Sequence, residues 1–268
     1  MKIVIDSIRY HVDTCGEGFP LLLLHGFTGD SSTWMDFCGQ WGQHSSLLAL
    51  DIIGHGKTDA PENVEKYNIL RAADDLQQIL EKNHIEKTDI LGYSMGGRLA
   101  LTFAVKYPHM VRKLILESAS PGLETVEERK QRMNHDGKLA DFIKKNGIEA
   151  FVKYWENIPL FESQKRLSDS VQLSIRQQRL NNSITGLTNS LFGMGTGSQP
   201  SWWDQLCHLE MDILLITGSM DKKFCRIADN MQNKLKKARM VTVENCGHAI
   251  HVEKREKFGT IVSEFLSY

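Results

Sequence analysis

Short apolar runs alternate with longer amphipathic stretches along most of this 268-residue chain. Runs of strand length occur at 20–24, 46–51, 111–117, 211–218 and 238–243. Their nearly continuous apolar composition is typical of strands that are covered on both faces, as in a parallel sheet. The stretch from about Asn68 to Lys82 instead repeats apolar residues at helical spacing. This repeated alternation predicts an α/β fold, with a mostly parallel sheet and helices on both faces.

The alternation stops in the middle of the chain. From about Glu124 to Leu191 the sequence is helical and polar in character, without a convincing strand, and a glycine-rich stretch at 192–198 ends this section. Strand character resumes at Met211. We therefore expect a helical lid, residues 120–198, inserted into an α/β core formed by residues 1–119 and 199–268.

A sharp turn with an exposed serine is predicted at Gly92-Tyr93-Ser94-Met95-Gly96. The motif follows an apolar strand pattern and precedes a helix-forming segment, which is the context of a G-x-S-x-G nucleophile elbow. Its glycines leave room for neighbouring backbone at the tight turn. The alternative is a glycine-rich turn with an incidental serine, which the strand-to-helix context disfavours. Ser94 is therefore the candidate nucleophile.

A nucleophilic serine needs a base, and the base needs an acid that orients it. Asp221 follows one of the late strand patterns, and His248 follows the next. This order after the elbow, at the carboxyl ends of parallel strands, favours a triad of Ser94, Asp221 and His248. The competing residues are Asp212 and Asp229 for the acid and His251 for the base.

Composition limits the classes of function. The chain has 32 basic and 33 acidic residues, so it has no general attraction to nucleic acid or to acidic membranes. No apolar run approaches the roughly 20 residues of a membrane span, and Met1–Asp6 is too short and too soon charged for a signal peptide. The five cysteines lack zinc-binding or CxxC spacing, so we expect reduced thiols. These features predict a soluble cytoplasmic protein without a metal site.

The candidate triad and the loop His25-Gly26-Phe27 resemble the α/β-hydrolase superfamily across nearly the whole chain. The resemblance implies an oxyanion hole formed by the backbone N–H groups of Phe27 and Met95. Donors of this kind typically contribute about 10²–10³-fold in rate. The resemblance also implies that His25 orients the loop rather than reacting.

Longer motifs resemble a narrower family, the 2-succinyl-6-hydroxy-2,4-cyclohexadiene-1-carboxylate synthases of the menaquinone pathway. These motifs are His25-Gly26-Phe27-Thr28-Gly29-Asp30, Gly92-Tyr93-Ser94-Met95-Gly96-Gly97-Arg98, Ser120-Pro121-Gly122-Leu123, Trp155-Glu156-Asn157-Ile158-Pro159-Leu160-Phe161 and Arg179-Leu180-Asn181-Asn182. Lids vary widely among α/β hydrolases, so the motifs in the predicted lid discriminate better than the elbow does. In that family the triad removes a proton next to a succinyl ketone and drives the elimination of pyruvate.

This resemblance implies a small-molecule tricarboxylate substrate and no cofactor. Residue-by-residue carry-over places Arg98, Arg132 and Arg179 among the carboxylate-binding residues, and Tyr93 and Trp155 along the substrate cavity. Arginine suits this task because its planar fork pairs with a carboxylate through two hydrogen bonds. Arg98 also follows the nucleophile by one helical turn, on the same face. The alternatives are solvated helix faces for the arginines of the predicted lid and simple packing for the two aromatic residues.

Two other functions stay open at this point. A carboxylesterase would use the same triad to form an acyl-enzyme, and it would not need the arginines. A non-catalytic binding module would have no need for Ser94, Asp221 and His248 together. The leading prediction is the pyruvate-eliminating synthase, and the sequence leaves the oligomeric state open.

Overall fold

The computed structural model describes residues 1–267, which form an eight-stranded sheet with helices on both faces. The strands are β1 (Lys2–Ile5), β2 (Ile8–Cys15), β3 (Phe19–Leu24), β4 (Ser45–Leu50), β5 (Thr88–Tyr93), β6 (Val111–Glu117), β7 (Asp212–Gly218) and β8 (Ala238–Val243). Their spatial order is β1-β2-β4-β3-β5-β6-β7-β8. The pairs β1–β2 and β2–β4 are antiparallel, and the remaining pairs are parallel. The mostly parallel sheet predicted from the apolar runs is confirmed.

Ten α-helices accompany the sheet within the described residues. They are α1 (Ser32–Met35), α2 (Cys38–Trp41), α3 (Ile69–Lys82), α4 (Met95–Lys106), α5 (Val126–Trp155), α6 (Asp169–Leu180), α7 (Ile184–Met194), α8 (Lys222–Gln232), α9 (Ile250–Glu253) and α10 (Arg255–Ser267). The predicted helix at 68–82 is α3, and Asn68 caps it by accepting a hydrogen bond from the N–H of Leu70 at 2.9 Å. None of the helices in residues 1–267 is long and apolar enough to cross a membrane.

Apolar side chains fill the space on both faces of the sheet. Successive residues of a strand point to opposite faces, so Leu22 packs in one layer and Leu23 in the other. The first layer includes Leu76 of α3, and the second includes Trp41 of α2 and Phe258 of α10. This double coverage explains why inner parallel strands such as β3 and β7 are mostly apolar.

The predicted lid contains α5, α6, α7 and a 3₁₀ segment at Pro159–Arg166, all between β6 and β7. Gly147 interrupts α5 with a φ of 81°, a conformation that glycine adopts without strain. The segment has its own apolar cluster, which includes Ile143, Phe151 and Leu187. Because β6 and β7 pair directly, the insertion leaves the sheet continuous.

The carboxyl ends of the parallel strands lie along one edge of the sheet. The register that pairs Leu24 with Gly92 brings the loop after β3 beside the turn after β5. The predicted lid contacts this edge: the side-chain amide of Asn182 donates to the carbonyl oxygen of Thr28 at 2.9 Å. Residues from separate strands and from the helical insertion therefore meet at this edge.

The expectation that all five cysteines are reduced thiols is wrong. Cys15 and Cys38 form a disulfide, with Cα atoms 6.2 Å apart and a sequence separation of 23 residues. Cys207, Cys225 and Cys246 are free. The bonded pair joins the end of β2 to α2, and spacing along the chain does not reveal such a tertiary contact.

Candidate active site

Ser94 forms the turn between β5 and α4, with a φ of 51° and a ψ of −104°. Its backbone N–H donates to the carbonyl oxygen of Glu117 at 2.9 Å, which ties the turn to β6. A Cβ at Gly92 would approach the carbonyl oxygen of Gly96 to 2.4 Å, and a Cβ at Gly96 would approach that of Leu24 to 2.3 Å. Both positions therefore require glycine. A positive φ at a serine is the kind of strained conformation that is found at functional sites.

The three predicted triad side chains are in hydrogen-bond contact. His248 Nδ1 lies 2.6 Å from Asp221 Oδ2, and His248 Nε2 lies 2.9 Å from Ser94 Oγ. A carboxylate only accepts, so Nδ1 carries the donated proton and Nε2 can accept from the serine hydroxyl. Asp221 is fixed as the N-cap of α8, where its Oδ1 accepts from the N–H of Phe224 at 3.2 Å. This geometry can activate Ser94 as a nucleophile or as a base.

The competing acids and base have other positions. Asp212 begins β7, at the end of the sheet away from the nucleophile, and Asp229 lies in α8. His251 is buried near the triad, but its Nδ1 lies 2.9 Å from both carboxylate oxygens of Glu117. The base that contacts the nucleophile is therefore His248, and the acid that contacts this base is Asp221, as predicted.

The two predicted oxyanion-hole residues lie at the ends of neighbouring strands. Phe27 follows β3, and Met95 begins α4 directly after β5. Within residues 1–267, neither backbone N–H donates a hydrogen bond. His25 holds the loop, since its Nδ1–H donates to the carbonyl oxygen of Gly26 at 2.8 Å and its Nε2 accepts from the N–H of Ile52 at 3.0 Å. Two free donors are thus available beside the nucleophile.

Arg98 lies in the first turn of α4 and reaches toward the predicted lid. Its Nη1 donates to the carbonyl oxygen of Met194 and to Gln199 Oε1, both at 2.7 Å. Burial lowers the pKa of Arg98 to about 9, and the charge of Arg132 acts in the same direction. The guanidinium therefore stays charged at neutral pH, and its hydrogen-bond partners within the described residues are uncharged.

Arg132 lies in α5 and interacts with an acidic residue that sequence reasoning missed. Its Nε donates to Asp136 Oδ1 at 2.8 Å, at the i,i+4 spacing that could have indicated the pair. Asp136 is buried, and its Oδ2 has no hydrogen-bond partner among residues 1–267. Because the pairing uses Nε, the two terminal nitrogens of Arg132 remain available to a ligand.

Arg179 is a buried cation in α6, with 6% of its surface exposed. Its Nη2 donates to Gln164 Oε1 at 3.1 Å, and its guanidinium lies 4.7 Å from the ring centre of Phe161. Burial lowers the pKa of Arg179. No salt bridge to this guanidinium occurs in residues 1–267. A buried charge without a counter-ion is costly, so this position favours an anionic ligand.

The two predicted aromatic residues differ in their surroundings. The ring of Tyr93 lies against His248 and His251, with centroid distances of 5.4 and 4.6 Å. Burial raises the pKa of Tyr93 well above its ordinary value, so its hydroxyl keeps its proton. Trp155 packs edge-on against Phe27 at 5.5 Å, and its Nε1 is buried without an acceptor in the described part of the chain. Tyr93 therefore keeps a hydroxyl that can donate a hydrogen bond to a ligand, whereas the N–H of Trp155 is enclosed by protein.

A cavity of about 540 Å³ lies between the loop after β3, α6 and α9. Its wall includes Tyr93 and Arg179 of the predicted residues, together with Phe27, Gln164, Gln178 and His251. The triad and the other predicted binding residues, Arg98, Arg132 and Trp155, do not belong to this wall. The predicted arginines therefore fall into two groups. Arg98 and Arg132 lie together on α4 and α5, and Arg179 lies at the cavity. No sequence signal indicated the two glutamines.

Comparisons with known proteins identify the family of the chain. The α/β hydrolase fold family matches residues 20–255 of the chain. A Bacillus subtilis protein provisionally named 2-succinyl-6-hydroxy-2,4-cyclohexadiene-1-carboxylate synthase is 47% identical over 98% of this chain and 97% of its own length. The synthase of that name from Photorhabdus laumondii is 30% identical over 92% of this chain and 85% of its own. The solved structure of MenH from S. aureus is 34% identical and has a TM-score of 0.92, covering 96% of this chain and 97% of its own.

Proposed function

Because this chain belongs to the α/β hydrolase fold family and, within it, to the 2-succinyl-6-hydroxy-2,4-cyclohexadiene-1-carboxylate synthases, we propose a mechanism of pyruvate elimination for its triad. The substrate of the proposed reaction is 2-succinyl-5-enolpyruvyl-6-hydroxy-3-cyclohexene-1-carboxylate. The product is the cyclohexadiene that names the family, an intermediate of menaquinone biosynthesis. Cytoplasmic location stays a prediction.

One observation carries the proposal: a complete triad lies beside arginines that have no carboxylate partner. Ser94, His248 and Asp221 form a continuous hydrogen-bond chain. The hydrogen-bond partners of Arg98 and Arg179 within residues 1–267 are a carbonyl oxygen and side-chain amides. Partly or fully buried cations whose hydrogen-bond partners are neutral are suited to a substrate that brings its own carboxylates. A neutral ester would leave these charges unpaired.

The reaction begins with transfer of a proton from carbon. His248 Nε2 accepts the hydroxyl proton of Ser94, and Ser94 Oγ removes the proton next to the succinyl ketone. The electron pair of the broken C–H bond moves onto the ketone oxygen and forms an enolate. The N–H groups of Phe27 and Met95 stabilise that oxygen, while Asp221 stabilises the imidazolium.

The second step breaks the bond to the leaving group. The enolate electrons return to the ring and form a double bond between C2 and C3. The existing C3–C4 double bond moves to C4–C5 as the bond between C5 and the enolpyruvyl oxygen breaks. Pyruvate leaves as its enolate and takes up the proton that the triad removed. Water is not consumed, and the triad regains its starting protonation state.

The helical segment 120–198 has the role of a lid in this proposal. It supplies Arg132 and Arg179, and Met194 within it accepts a hydrogen bond from Arg98 of the core. Closure of such a segment excludes water, which strengthens the interaction between arginine and carboxylate. The lid therefore contributes both to binding and to the electrostatics of the site.

A pyruvate-release assay tests the proposal directly. The purified protein is incubated with the enolpyruvyl substrate, and pyruvate is followed with lactate dehydrogenase and NADH. We expect one pyruvate per substrate consumed by the wild type and almost none by Ser94→Ala. Cleavage of neutral esters without any pyruvate release would instead favour the carboxylesterase alternative, in which Ser94 forms an acyl-enzyme.

A further inference from the structure

Glu117 and His251 form a buried pair next to the nucleophile elbow. Their side chains are 0% and 5% exposed, respectively. The Nδ1–H of His251 lies 2.9 Å from both carboxylate oxygens, and the backbone N–H of the same residue donates to Oε1 at 3.0 Å. No lysine or arginine within residues 1–267 forms a salt bridge with Glu117. The imidazole is therefore held in one orientation, and the mechanism above does not use it.

The ring of His251 forms part of the wall of the cavity that also contains Tyr93 and Arg179. Since Nδ1 is bound to Glu117, Nε2 is the nitrogen that remains for a ligand. Within the described residues Nε2 has no hydrogen-bond partner, and the atom is not fully buried. The cavity therefore offers a fixed imidazole nitrogen that is open to a bound molecule.

The cavity begins at the proposed oxyanion hole. Gly26, Phe27 and Thr28 belong to its wall, whereas Ser94 and His248 do not. When the ketone oxygen of the substrate is bound by the N–H of Phe27, the rest of the succinyl chain leads away from the reacting C–H bond. The cavity wall contains two arginines, Arg179 and Arg255. Arg255 is exposed and pairs with Asp36 at 2.7 Å, whereas Arg179 is buried, at 6% exposure, and forms no salt bridge within residues 1–267. The carboxylate at the far end of the chain is the group that this cavity suits.

Charge supports a carboxylate as the ligand. A buried carboxylate is stabilised by hydrogen-bond donors, and His251 provides two such donors to Glu117, its backbone N–H and Nδ1–H. In a complex with an anion, an N–H on Nε2 would add a donor to the ligand on the cavity side of the same ring. Arg179 adds a cationic donor on the same cavity wall. Together they form a site for one carboxylate with two donors.

We propose that His251 binds the terminal carboxylate of the succinyl chain through Nε2–H, beside Arg179, and that Glu117 is the positioning residue for His251. The assignment rests on the proposed function, because that function identifies the succinyl chain. It makes this cavity the part of the site that selects substrates ending in a carboxylate.

The variant His251→Asn tests the assignment. The shorter amide can keep the contact with Glu117 but does not reach the cavity as Nε2 does. We expect the KM for the enolpyruvyl substrate to rise about tenfold, the effect of one charge-assisted hydrogen bond, with little change in kcat. His251→Gln, whose amide extends further, should recover part of this loss. The pyruvate-release assay measures both constants.

A matched control is His44→Asn. His44 is a partly buried histidine that contacts Ser45 and Ser263, and it is not part of the cavity wall. Its replacement should leave the KM unchanged. A substrate analogue whose terminal carboxylate is a primary amide should show the same KM with the wild type and with His251→Asn. An unchanged KM for the true substrate, or an equal loss on the amide analogue, would overturn the assignment.

Two further measurements separate this inference from the proposed function. The double variant His251→Asn, Arg179→Ala should raise the KM by less than the product of the increases in the two single variants, because both residues bind one carboxylate. Calorimetric titration with succinate should show about tenfold weaker binding to His251→Asn than to the wild type. If the wild type released no pyruvate but still bound succinate in this His251-dependent way, only the proposed function would be wrong. Equal succinate affinities would contradict the inference.

Discussion

Arg98 donates a hydrogen bond to the carbonyl oxygen of Met194 at 2.7 Å, and this bond connects α4 of the core to the end of α7. The guanidinium proposed to bind substrate therefore also holds the predicted lid against the sheet. Arg179 differs, because its partner Gln164 lies within the same helical segment. Substitution of Arg98 should consequently affect both binding and closure, whereas substitution of Arg179 should affect binding alone.

Arg98→Ala should lower kcat/KM for the enolpyruvyl substrate by roughly 10- to 10³-fold, from the ~1.5–3 kcal/mol of a charge-assisted hydrogen bond and the added cost of a stranded partner. It should also lower Tm, because the contact with Met194 is lost. Arg98→Lys keeps the positive charge but loses the planar guanidinium, so its kcat/KM should lie between those of the wild type and Arg98→Ala. Steady-state kinetics and thermal unfolding measure the two effects. Arg226→Ala, at an exposed position in α8, is the control and should change neither quantity. A normal kcat/KM in Arg98→Ala would exclude a role in binding.

Arg179→Ala should raise the KM for the tricarboxylate by about 10-fold or more while leaving the cleavage of a small neutral ester, if any occurs, much less affected. The difference arises because the neutral ester has no carboxylate to pair with the guanidinium. Arg132→Ala should follow the same pattern. Both substrates are assayed with each variant. Equal losses on the two substrates would show that these arginines stabilise the structure rather than bind carboxylates.

Ser94→Ala, His248→Ala and Asp221→Asn should each reduce kcat by roughly 10³-fold or more, and double variants should lose little beyond the single ones, because the residues act as a unit. Asparagine is also a good N-cap, so Asp221→Asn should keep α8 intact. Circular dichroism checks the fold of each variant. If Ser94→Ala kept most of the pyruvate release, Ser94 would not be the base.

No covalent intermediate should accumulate on Ser94 during turnover of the enolpyruvyl substrate. In the proposed mechanism Ser94 Oγ removes a proton and does not attack a carbonyl carbon. Mass spectrometry of acid-quenched reactions measures the mass of the intact protein. A fluorophosphonate probe, which labels activated serines, serves as the positive control. A substrate-derived adduct on Ser94 would instead support the esterase mechanism.

Asp75→Asn should stabilise the protein at neutral pH. Asp75 is 2% exposed, and burial raises the pKa of its carboxyl, although the hydrogen bond from Tyr10 opposes this shift. The folded state therefore binds this proton more tightly than the unfolded state, so the wild type loses stability as pH rises above about 3.9, the usual aspartate pKa. Each unit by which the pKa is raised corresponds to about 1.4 kcal/mol.

The gain in Tm of Asp75→Asn over the wild type should accordingly vanish at acidic pH, grow as pH rises, and level off above the pKa of the folded state. Thermal unfolding between acidic and neutral pH measures it. Asp229→Asn, at an exposed position in α8, should show no such trend. A Tm difference between Asp75→Asn and the wild type that is independent of pH would show that ionisation of this carboxyl does not destabilise the protein.

The sheet and the nucleophile elbow could be predicted because their requirements are local. A strand that is covered on both faces is mostly apolar, and the residues of β3 show this pattern directly. The turn at Ser94 needs glycine at positions 92 and 96, where backbone atoms approach closely, and this too is visible within five residues. The order of acid and histidine after the elbow follows from chain topology.

The identities of side-chain partners could not be predicted in this way. Glu117 and His251 are 134 residues apart in sequence and pair only because β6 and α9 pack together. The disulfide between Cys15 and Cys38 likewise depends on the meeting of β2 and α2.

By itself, the sequence determined the α/β class, the elbow and the residues of the triad, since each depends on backbone geometry or on order along the chain. Only the tertiary structure decided that Arg98 bonds to Met194 and that Arg179 lies at a separate cavity with His251. The physical reason is that long polar side chains take the partners that folding brings within hydrogen-bond distance. The local sequence determines the backbone position of such a side chain, and tertiary packing determines the position of its charged group.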